Sequence, residues 1–254
     1  MILAIDIGNT NIEVGCIRDE GPSFVERLHT DNKKSELEYA ISIKTVLDLY
    51  GIDREEIEGG IISSVVPPLN RVMKSAAEKV TGKEILVVGP GIKTGLDIRI
   101  DNPAQLGTDL VVGAVAAIEE YPCPLAVIDL GTATTFTVVN GKRQVIGGMI
   151  MPGVNVALDS LTLRTSQLPK ISLDPPKKLI GSNTVDCMRS GVLYGNASCV
   201  DGMLERIEEE LGEKVSAVAT GGMAKYIIPY CKRKTAVDEG LLLKGLKLIY
   251  RRNR

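Results

Sequence analysis

Two short segments each place an aspartate at the end of an apolar run and follow it with glycine and small polar residues. AIDIGNTN spans 4–11 and VIDLGTAT spans 127–134, so Asp129 follows Asp6 by 123 positions in a chain of 254. Carboxylates bind Mg²⁺ together with phosphate oxygens, and backbone N–H and hydroxyl groups after a glycine are phosphate ligands. The pair therefore predicts a phosphate-binding site made from two similar halves.

Each aspartate is expected at the tip of a hairpin. Apolar residues over 2–7 and alternation over 12–16 predict two strands joined by a turn, and 125–130 with 135–139 repeats the pattern. A third segment, AVATGG at 217–222, leads an apolar strand into two glycines that could lie against a nucleotide. A tight strand-to-helix turn explains the diglycine equally well.

The remaining pattern alternates helices with short strands. A capping box at Ser35–Glu38 and apolar residues at helical spacing predict helices over 35–50, 69–80, 102–118, 199–211 and 241–250. Apolar runs predict strands over 59–68, where two prolines end the strand, and over 84–88 and 215–219. We therefore expect an α/β fold in two domains, residues 1–120 and 121–254.

Composition supports this fold class and argues against several functions. Apolar residues are 44% and aromatics 4%, with no tryptophan, so the core is aliphatic. The net charge of −2 argues against a nucleic-acid partner. A single histidine, His29, and five cysteines without CxxC spacing argue against a zinc site and suit reduced thiols. MILAID lacks the features of a signal peptide, and no membrane-length apolar run exists, so we expect a soluble cytoplasmic protein with no membrane partner.

Several motifs along the chain match those of a known protein family. The chain resembles type III pantothenate kinases, within the acetate/sugar kinase–heat-shock ATPase–actin superfamily. The motifs that carry the resemblance are DIGNTN (6–11), ISSVVPPL (62–69), NPAQLGTD (102–109), IDLGTATTF (128–136), GGMIMPG (147–153), TSQLP (165–169), IGSNT (180–184) and ATGG (219–222). The resemblance implies two ribonuclease H-like (actin-like ATPase) domains with mixed sheets flanked by helices and a nucleotide cleft between them.

The resemblance also implies a reaction and a set of site residues. The enzyme would convert ATP and pantothenate to ADP and 4′-phosphopantothenate, the first step toward coenzyme A, as a homodimer using Mg²⁺ and a monovalent cation, K⁺ or NH₄⁺. Asp109 would accept the proton of the attacking hydroxyl, and Asp129 would bind the monovalent cation. The expected ATP-binding residues are Asp6, Ile7, Gly8, Asn9, Thr10, Asn11, Ile12, Glu13 and Thr132. The expected substrate-binding residues are Gly107, Thr108, Asp109, Leu110 and Thr184.

Two departures from the family pattern affect the substrate positions. The usual Gly-Ala-Asp-Arg is Gly-Thr-Asp-Leu at 107–110, and the usual Gly-Lys-Asn-Thr is Gly-Ser-Asn-Thr at 181–184. Losing a charge-assisted contact to the pantothenate carboxylate costs about 1.5–3 kcal/mol, so we expect a high KM for pantothenate. Arg164, Arg189 or a partner subunit could compensate.

Two other functions remain open from the sequence. One is a kinase of the same fold that acts on another small alcohol. The other is a catalytically idle regulatory relative of the transcriptional accessory factor type. Retention of Asp6, Asp109 and Asp129 argues against the idle relative, because a binding protein needs no such carboxylates. Without the resemblance, Asp109 is explained as readily by an acid near a helix N-terminus.

Overall fold

The structure, a computed structural model, describes residues 1–19 and 21–254 and divides into two compact units. The first unit comprises Met1–Leu96, Asp101–Glu119 and Gly240–Arg254, and the second comprises Asp97–Ile100 and Glu120–Glu239. This division departs from the predicted 1–120 and 121–254 at residue 120 and, over longer stretches, at residues 97–100 and 240–254. Both longer departures reflect long-range packing, because residues 97–98 pair with a strand of the second unit and the closing helix packs in the core of the first.

A five-stranded mixed sheet forms the centre of the first unit. Its strands are β1 (Ile2–Ile7), β2 (Asn11–Arg18), β3 (Gly21–His29), β4 (Gly59–Ser64) and β5 (Ile85–Val87), in the order β3-β2-β1-β4-β5. β1, β2 and β3 are antiparallel neighbours, whereas β4 and β5 run parallel to β1. All six residues of β1 are buried, as expected for a central strand covered on both faces.

Helices cover both faces of this sheet: α1 (Glu36–Leu49), α2 (Pro67–Thr81), α3 (Thr108–Glu120) and α7 (Leu241–Arg252). Leu3, Ile5 and Ile7 of β1 share one apolar core with α1 and α2. Ile2 and Ala4 share another with α3 and α7. Because side chains alternate along a strand, Asp6 lies on the same face as Ile2 and Ala4.

Several elements of the first unit differ from the predicted boundaries. Pro67 and Pro68 form the first turn of α2, where a missing N–H costs nothing, so the strand ends earlier, at Ser64. Asn102 caps a separate short turn, Pro103–Gln105, by accepting a hydrogen bond from the N–H of Ala104 (3.2 Å). The predicted single helix from 102 was therefore wrong, since α3 begins only at Thr108.

The second unit repeats the strand arrangement of the first and adds one strand. The strands are β6 (Asp97–Ile98), β7 (Leu125–Leu130), β8 (Ala133–Val139), β9 (Gln144–Pro152), β10 (Ser216–Thr220) and β11 (Ala236–Val237), in the order β11-β10-β7-β8-β9-β6. β7 and β8 are antiparallel, as are β8 and β9, while β10 and β11 run parallel to β7. The predicted duplication of the fold is confirmed by this topology.

Three helices accompany the second sheet: α4 (Val154–Arg164), α5 (Thr184–Leu211) and the short α6 (Ala224–Ile227). Ile128 and Leu130 of β7 pack in one core with α4, α5 and α6. The predicted helix over 199–211 is only the second half of α5, because glycine and serine residues weaken the helical pattern of its first half. No helix within residues 1–19 and 21–254 is long and apolar enough to span a membrane.

A buried carboxylate stabilises the end of α5. Glu208, 9% exposed, accepts hydrogen bonds from Arg233 Nη1 (2.8 Å) and Nη2 (2.5 Å) and from Lys214 Nζ (2.9 Å). It also accepts one from the backbone N–H of Val215 at 3.1 Å. The Arg233 guanidinium hydrogen bonds are the largest of the effects that lower the pKa of Glu208 far below its usual value, so the carboxylate stays ionised.

Candidate functional site

Asp6 occupies the carboxyl end of the central strand of the first unit. Its side chain is 8% exposed, and its register partners are Glu13 on β2 and Ser63 on β4. Glu13 forms an ion pair with Arg27 of β3 at 2.8 Å. A row of polar side chains therefore crosses the sheet where β1 ends, on the face that also carries Ile2 and Ala4.

The loop after Asp6 is held by its own backbone hydrogen bonds and by Thr30, which follows β3. Gly8 N–H donates to Asn11 O (3.0 Å), and a Cβ on Gly8 would lie 3.0 Å from that same oxygen. Thr30 N–H donates to Thr10 O (3.0 Å), and its hydroxyl donates to Gly8 O (2.7 Å). Asn9, Thr10 and Asn11 are exposed, so a ligand can reach the loop. Thr30 was missed because nothing local in the sequence links it to this turn.

Gly107–Leu110 lies at the junction of β4 and α3 in the same unit. The hydroxyl of Thr108 bonds with Ser63 Oγ, Ser64 N and Ser64 O at the end of β4. Ser63 is the strand neighbour of Asp6, so the structure places the start of α3 beside the polar row. A Cβ on Gly107 would overlap Oδ1 of Asp109, so a side chain at position 107 would displace the Asp109 carboxylate.

Asp109 is the second residue of α3 and is partly buried. Its Oδ1 accepts a hydrogen bond from the N–H of Leu110 at 2.8 Å. Burial raises the pKa of the Asp109 carboxyl above its usual 3.8, while the N–H groups of residues 109 and 110 oppose this rise. A partly desolvated carboxylate is a stronger base than a solvated one, which suits proton abstraction.

Asp129 occupies in the second unit the position that Asp6 occupies in the first. It is the fifth residue of β7, and its register partners are Thr135 on β8 and Thr220 on β10. A Cβ on Gly131 would lie 3.3 Å from Asp129 Oδ1, and a Cβ on Gly221 would overlap that oxygen. The first glycine of the diglycine is therefore needed to make room for this carboxylate.

The second hairpin loop is one residue shorter than the first. Leu130 pairs with Thr134, leaving three residues between, whereas Ile7 pairs with Ile12, leaving four. Gly131 N–H donates to Ala133 O at 3.1 Å, which closes the turn. The exact repeat seen in the sequence thus ends at the glycine, although the two loops follow equivalent strands, β1 and β7.

Three separate motifs meet around this second loop. Gly153 N–H donates to Thr132 O, and Met223 N–H donates to Leu130 O, each at 3.1 Å. A Cβ on Gly153 would overlap the carbonyl oxygens of Gly131 and Thr132. The end of GGMIMPG and the residue after the diglycine therefore support the loop that carries Thr132, whose side chain is exposed.

A small cavity of about 370 Å³ lies next to Met223 in the second unit. Its lining mixes apolar and polar side chains: Asn155, Leu158, Ile171, Leu173, Asp174, Met223 and Tyr226. A flat heterocycle can pack one face on the apolar side chains, while the amide, carboxylate or phenol groups meet its edge.

Thr184 is the first residue of α5 and is exposed. The Asn183 side chain caps the helix by accepting a hydrogen bond from Asp186 N–H (2.9 Å), and a Cβ on Gly181 would lie 2.5 Å from Cys187 N. The IGSNT motif is thus a tight entry into α5.

Two arginines could replace the positive side chains missing at positions 110 and 182, and one of them already forms hydrogen bonds within the second unit. Arg189 donates to Ser172 O (3.0 Å), to Ser172 Oγ (2.7 Å) and to Asp174 Oδ2 (2.6 Å). Arg164 ends α4 and is exposed. Arg164 is therefore the more available of the two for a substrate carboxylate.

No group of three or more histidine, cysteine, aspartate or glutamate side chains converges within residues 1–19 and 21–254. A cation here would take few protein ligands, as Mg²⁺ does when phosphates complete its shell. All five cysteines are free thiols, and burial raises the pKa of Cys16 and Cys231 to about 12. Those two thiols are therefore unreactive.

Comparison with known proteins shows which family the chain belongs to. Residues 2–206 match the family model described as type III pantothenate kinase. A relative of that name from Halalkalibacterium halodurans is 43% identical over 253 residues, covering 100% of both chains. The chain belongs to the type III pantothenate kinase family. Another pantothenate kinase of this type, from Moorella thermoacetica, is 42% identical over 253 residues, again covering 100% of both chains.

Solved structures show the wider fold of the family. The activator of 2-hydroxyisocaproyl-CoA dehydratase from Clostridium difficile, with bound ADPNP, aligns at a TM-score of 0.56 and 13% identity, covering 98% of this chain and 93% of that one. MreB 5 of Spiroplasma citri, bound to AMPPNP, aligns at 0.57 and 11% identity, covering 99% and 96%. These neighbours confirm the expected actin-like ATPase fold for this pantothenate kinase family member.

Proposed function

We propose that this protein transfers the γ-phosphoryl group of ATP to pantothenate, giving ADP and 4′-phosphopantothenate, the first step of coenzyme A biosynthesis. The family match over residues 2–206 carries this proposal. Asp6 and Asp129 at equivalent strand ends, each followed by a glycine-containing loop, support it. Phosphoryl transfer depends mainly on positioning and charge neutralisation, which such loops provide.

The two hairpin loops would bind the ATP phosphates. Asp6–Glu13 supplies exposed side chains at Asn9, Thr10 and Asn11, and the second loop supplies Thr132. The cavity beside Met223 would take the adenine ring, because Met223 follows the diglycine and the lining offers both apolar side chains and hydrogen-bonding groups. These roles agree with the sequence expectation for both segments.

Asp109 would act as the general base. The hydroxyl oxygen of pantothenate forms a bond to the γ-phosphorus, the bond from that phosphorus to the bridging oxygen breaks, and ADP leaves. The hydroxyl proton passes to the Asp109 carboxylate, whose pKa is raised by burial. Gly107, Leu110 and Thr184 would contact the rest of pantothenate.

Mg²⁺ and a monovalent cation, K⁺ or NH₄⁺, would assist by neutralising the phosphate charge. Asp129 would hold the monovalent cation. Its strand partner Thr135 has a buried hydroxyl oxygen with no hydrogen-bond partner among the described residues. A buried hydroxyl beside a carboxylate fits a cation that binds oxygen ligands.

We also propose a cytoplasmic homodimer. The second unit exposes large apolar side chains on β9, α4 and the segment before α5: Ile150, Val156, Leu161, Leu163, Leu179 and Ile180. Large apolar side chains exposed on neighbouring segments of the chain are typical of subunit interfaces. Five free thiols suit a reducing compartment. Light scattering after gel filtration tests the dimer, and a single species of 27.3 kDa would contradict it.

ADP release with and without pantothenate, in K⁺ and then in Na⁺ buffer, tests the reaction. We expect ADP release to require pantothenate and to be faster in K⁺. A panel of other small alcohols tests the second candidate, a kinase for a different acceptor, which Leu110 and Ser182 favour by removing positive charge from the substrate positions. Turnover of another alcohol without turnover of pantothenate would establish that candidate instead.

A further inference from the structure

We propose that Thr108 is a positioning residue that holds the first turn of α3 against the end of β4 and thereby sets the place of the Asp109 carboxylate. This inference rests on the proposed function, in which Asp109 is the base. It departs from the direct substrate contact that the family resemblance implies for Thr108.

The hydrogen-bonding capacity of the Thr108 hydroxyl is fully used inside the first unit. A hydroxyl donates one hydrogen bond and accepts two. Thr108 Oγ1 donates to Ser64 O (2.9 Å) and accepts from Ser64 N (3.1 Å) and Ser63 Oγ (3.1 Å). The hydroxyl therefore has no donor left for a substrate atom, and its role is to connect α3 to β4.

These three hydrogen bonds act next to the catalytic position. Thr108 is the first residue of α3 and Asp109 the second, so a shift of the first turn moves the carboxylate directly. The preceding residue, Gly107, has no side chain that could cap the helix. The bonds of Thr108 to β4 therefore hold the first turn in place, while one of its free N–H groups, that of Leu110, is bound by Asp109 Oδ1 (2.8 Å).

The same bonds link Asp109 to the strand next to Asp6. Ser63 is fully buried, with 0% exposure, and is the register partner of Asp6 on β4. Asp6, Ser63, Thr108 and Asp109 therefore lie on neighbouring elements of the first unit, β1, β4 and α3. Thr108 stands where the family pattern has alanine, and Leu110 where it has arginine, so this network belongs to a chain whose substrate positions are already altered.

Thr108→Val, which keeps the shape and removes the hydroxyl, tests the proposal, with Thr108→Ser as the rescue. Thr81→Val is the matched control. Thr81 is a buried threonine of the first unit, whereas Thr108 is partly buried, and the Thr81 hydroxyl donates to Ala77 O (2.8 Å) and accepts from Lys83 N (3.2 Å), at the far end of α2. Each variant is measured for melting temperature, for kcat and KM of both substrates, and for the pH dependence of kcat/KM.

We expect Thr108→Val to lower kcat by roughly tenfold to hundredfold, because small displacements of a reacting group have effects of that size. The KM for ATP should stay unchanged. The acid limb of the pH profile should move to lower pH, since a loosened first turn exposes Asp109 to water. Thr108→Ser should restore both, and Thr81→Val should lower the melting temperature without changing kcat or the acid limb. If Thr108→Val does not fold, Ser63→Ala removes one of the three bonds and should act in the same direction to a smaller extent.

A titration of the Asp109 carboxyl by carbon NMR, without substrates, separates this proposal from the proposed function. The pKa of Asp109 should fall toward 3.8 in Thr108→Val and stay unchanged in Thr81→Val. If wild-type protein does not phosphorylate pantothenate, the proposed function fails, but the titration still decides the role of Thr108. A Thr108→Val protein that is destabilised like Thr81→Val yet keeps the wild-type kcat, acid limb and Asp109 pKa would overturn the proposal.

Discussion

Replacing Gly221 by alanine tests the packing of the diglycine against Asp129. Gly221 has a φ of 87°, in the left-handed region, and its added Cβ would overlap Asp129 Oδ1. The same Cβ would lie 2.7 Å from the carbonyl carbon and 2.8 Å from the carbonyl oxygen of Leu130. The carboxylate can rotate away, but the Leu130 backbone belongs to the central strand β7 and cannot.

The cost has two parts. A left-handed backbone costs a residue with a Cβ about 1–2 kcal/mol, and overpacking against fixed atoms costs about 1–3 kcal/mol more. The sum, about 2–5 kcal/mol, corresponds to a fall in melting temperature of roughly 5–15 °C for a protein of this size. Because Asp129 must also turn from its place, we expect most of the K⁺-dependent ADP release to be lost.

Gly212→Ala is the matched control. Gly212 ends α5 with a φ of 72°, and none of the described atoms lies within 4 Å of a Cβ built there. The control therefore carries the backbone strain alone, about 1–2 kcal/mol, and should keep its activity. Equal melting temperatures and equal ADP release in the two variants would show that Gly221 does not support Asp129 as described.

Three further predictions concern the side chains of the site and one buried carboxylate. Asp109→Asn should lose most ADP release. The variant should be at least as stable as wild type at pH 7, because burial raises the pKa of Asp109 and so disfavours its charge. Turnover near the wild-type rate would exclude Asp109 as the base. Leu110→Arg should lower the KM for pantothenate about tenfold by adding a charge-assisted contact, and an unchanged KM would mean that another cation already serves. Glu208→Gln should cost about 1–2 kcal/mol at neutral pH, a modest value because its cationic partners are partly solvated. Folding lowers the pKa of Glu208, so its charge adds to the free energy of unfolding above about pH 4.5. This contribution is lost as the pH falls toward the folded pKa, so the melting curves of the two proteins should converge in acid.

Local patterns were sufficient to predict much of the fold. The hairpins after Asp6 and Asp129 were predictable because each combines an apolar strand, a glycine turn and an alternating return strand. The capping box at Ser35 and the left-handed Gly82 at the end of α2 were predictable for the same reason, since caps depend on neighbouring residues. The antiparallel pairing of β1 with β2 and of β7 with β8 follows from these local signals.

Contacts between distant parts of the chain were not predictable. Thr30 supports the first loop from the end of β3, and the bonds between Thr108 and Ser63 join residues 45 positions apart. No local pattern specifies such partners. The first half of α5 was missed because its apolar residues are diluted by small ones, and its burial comes from the sheet it packs on. The roles assigned to Asp109, Asp129 and Thr184 stay predictions.

The position of α7 has a consequence for the order in which the protein is made. Leu242, Leu246 and Ile249 of α7 cover the same face of the first sheet as Ile2 and Ala4, yet the ribosome adds them after every residue of the second unit. During synthesis one face of the earliest strands is therefore covered by α3 alone, while the second unit can close around its own core first. The first unit is therefore begun first and completed last. Until α7 packs, the apolar surface that it will cover can bind chaperones or aggregate.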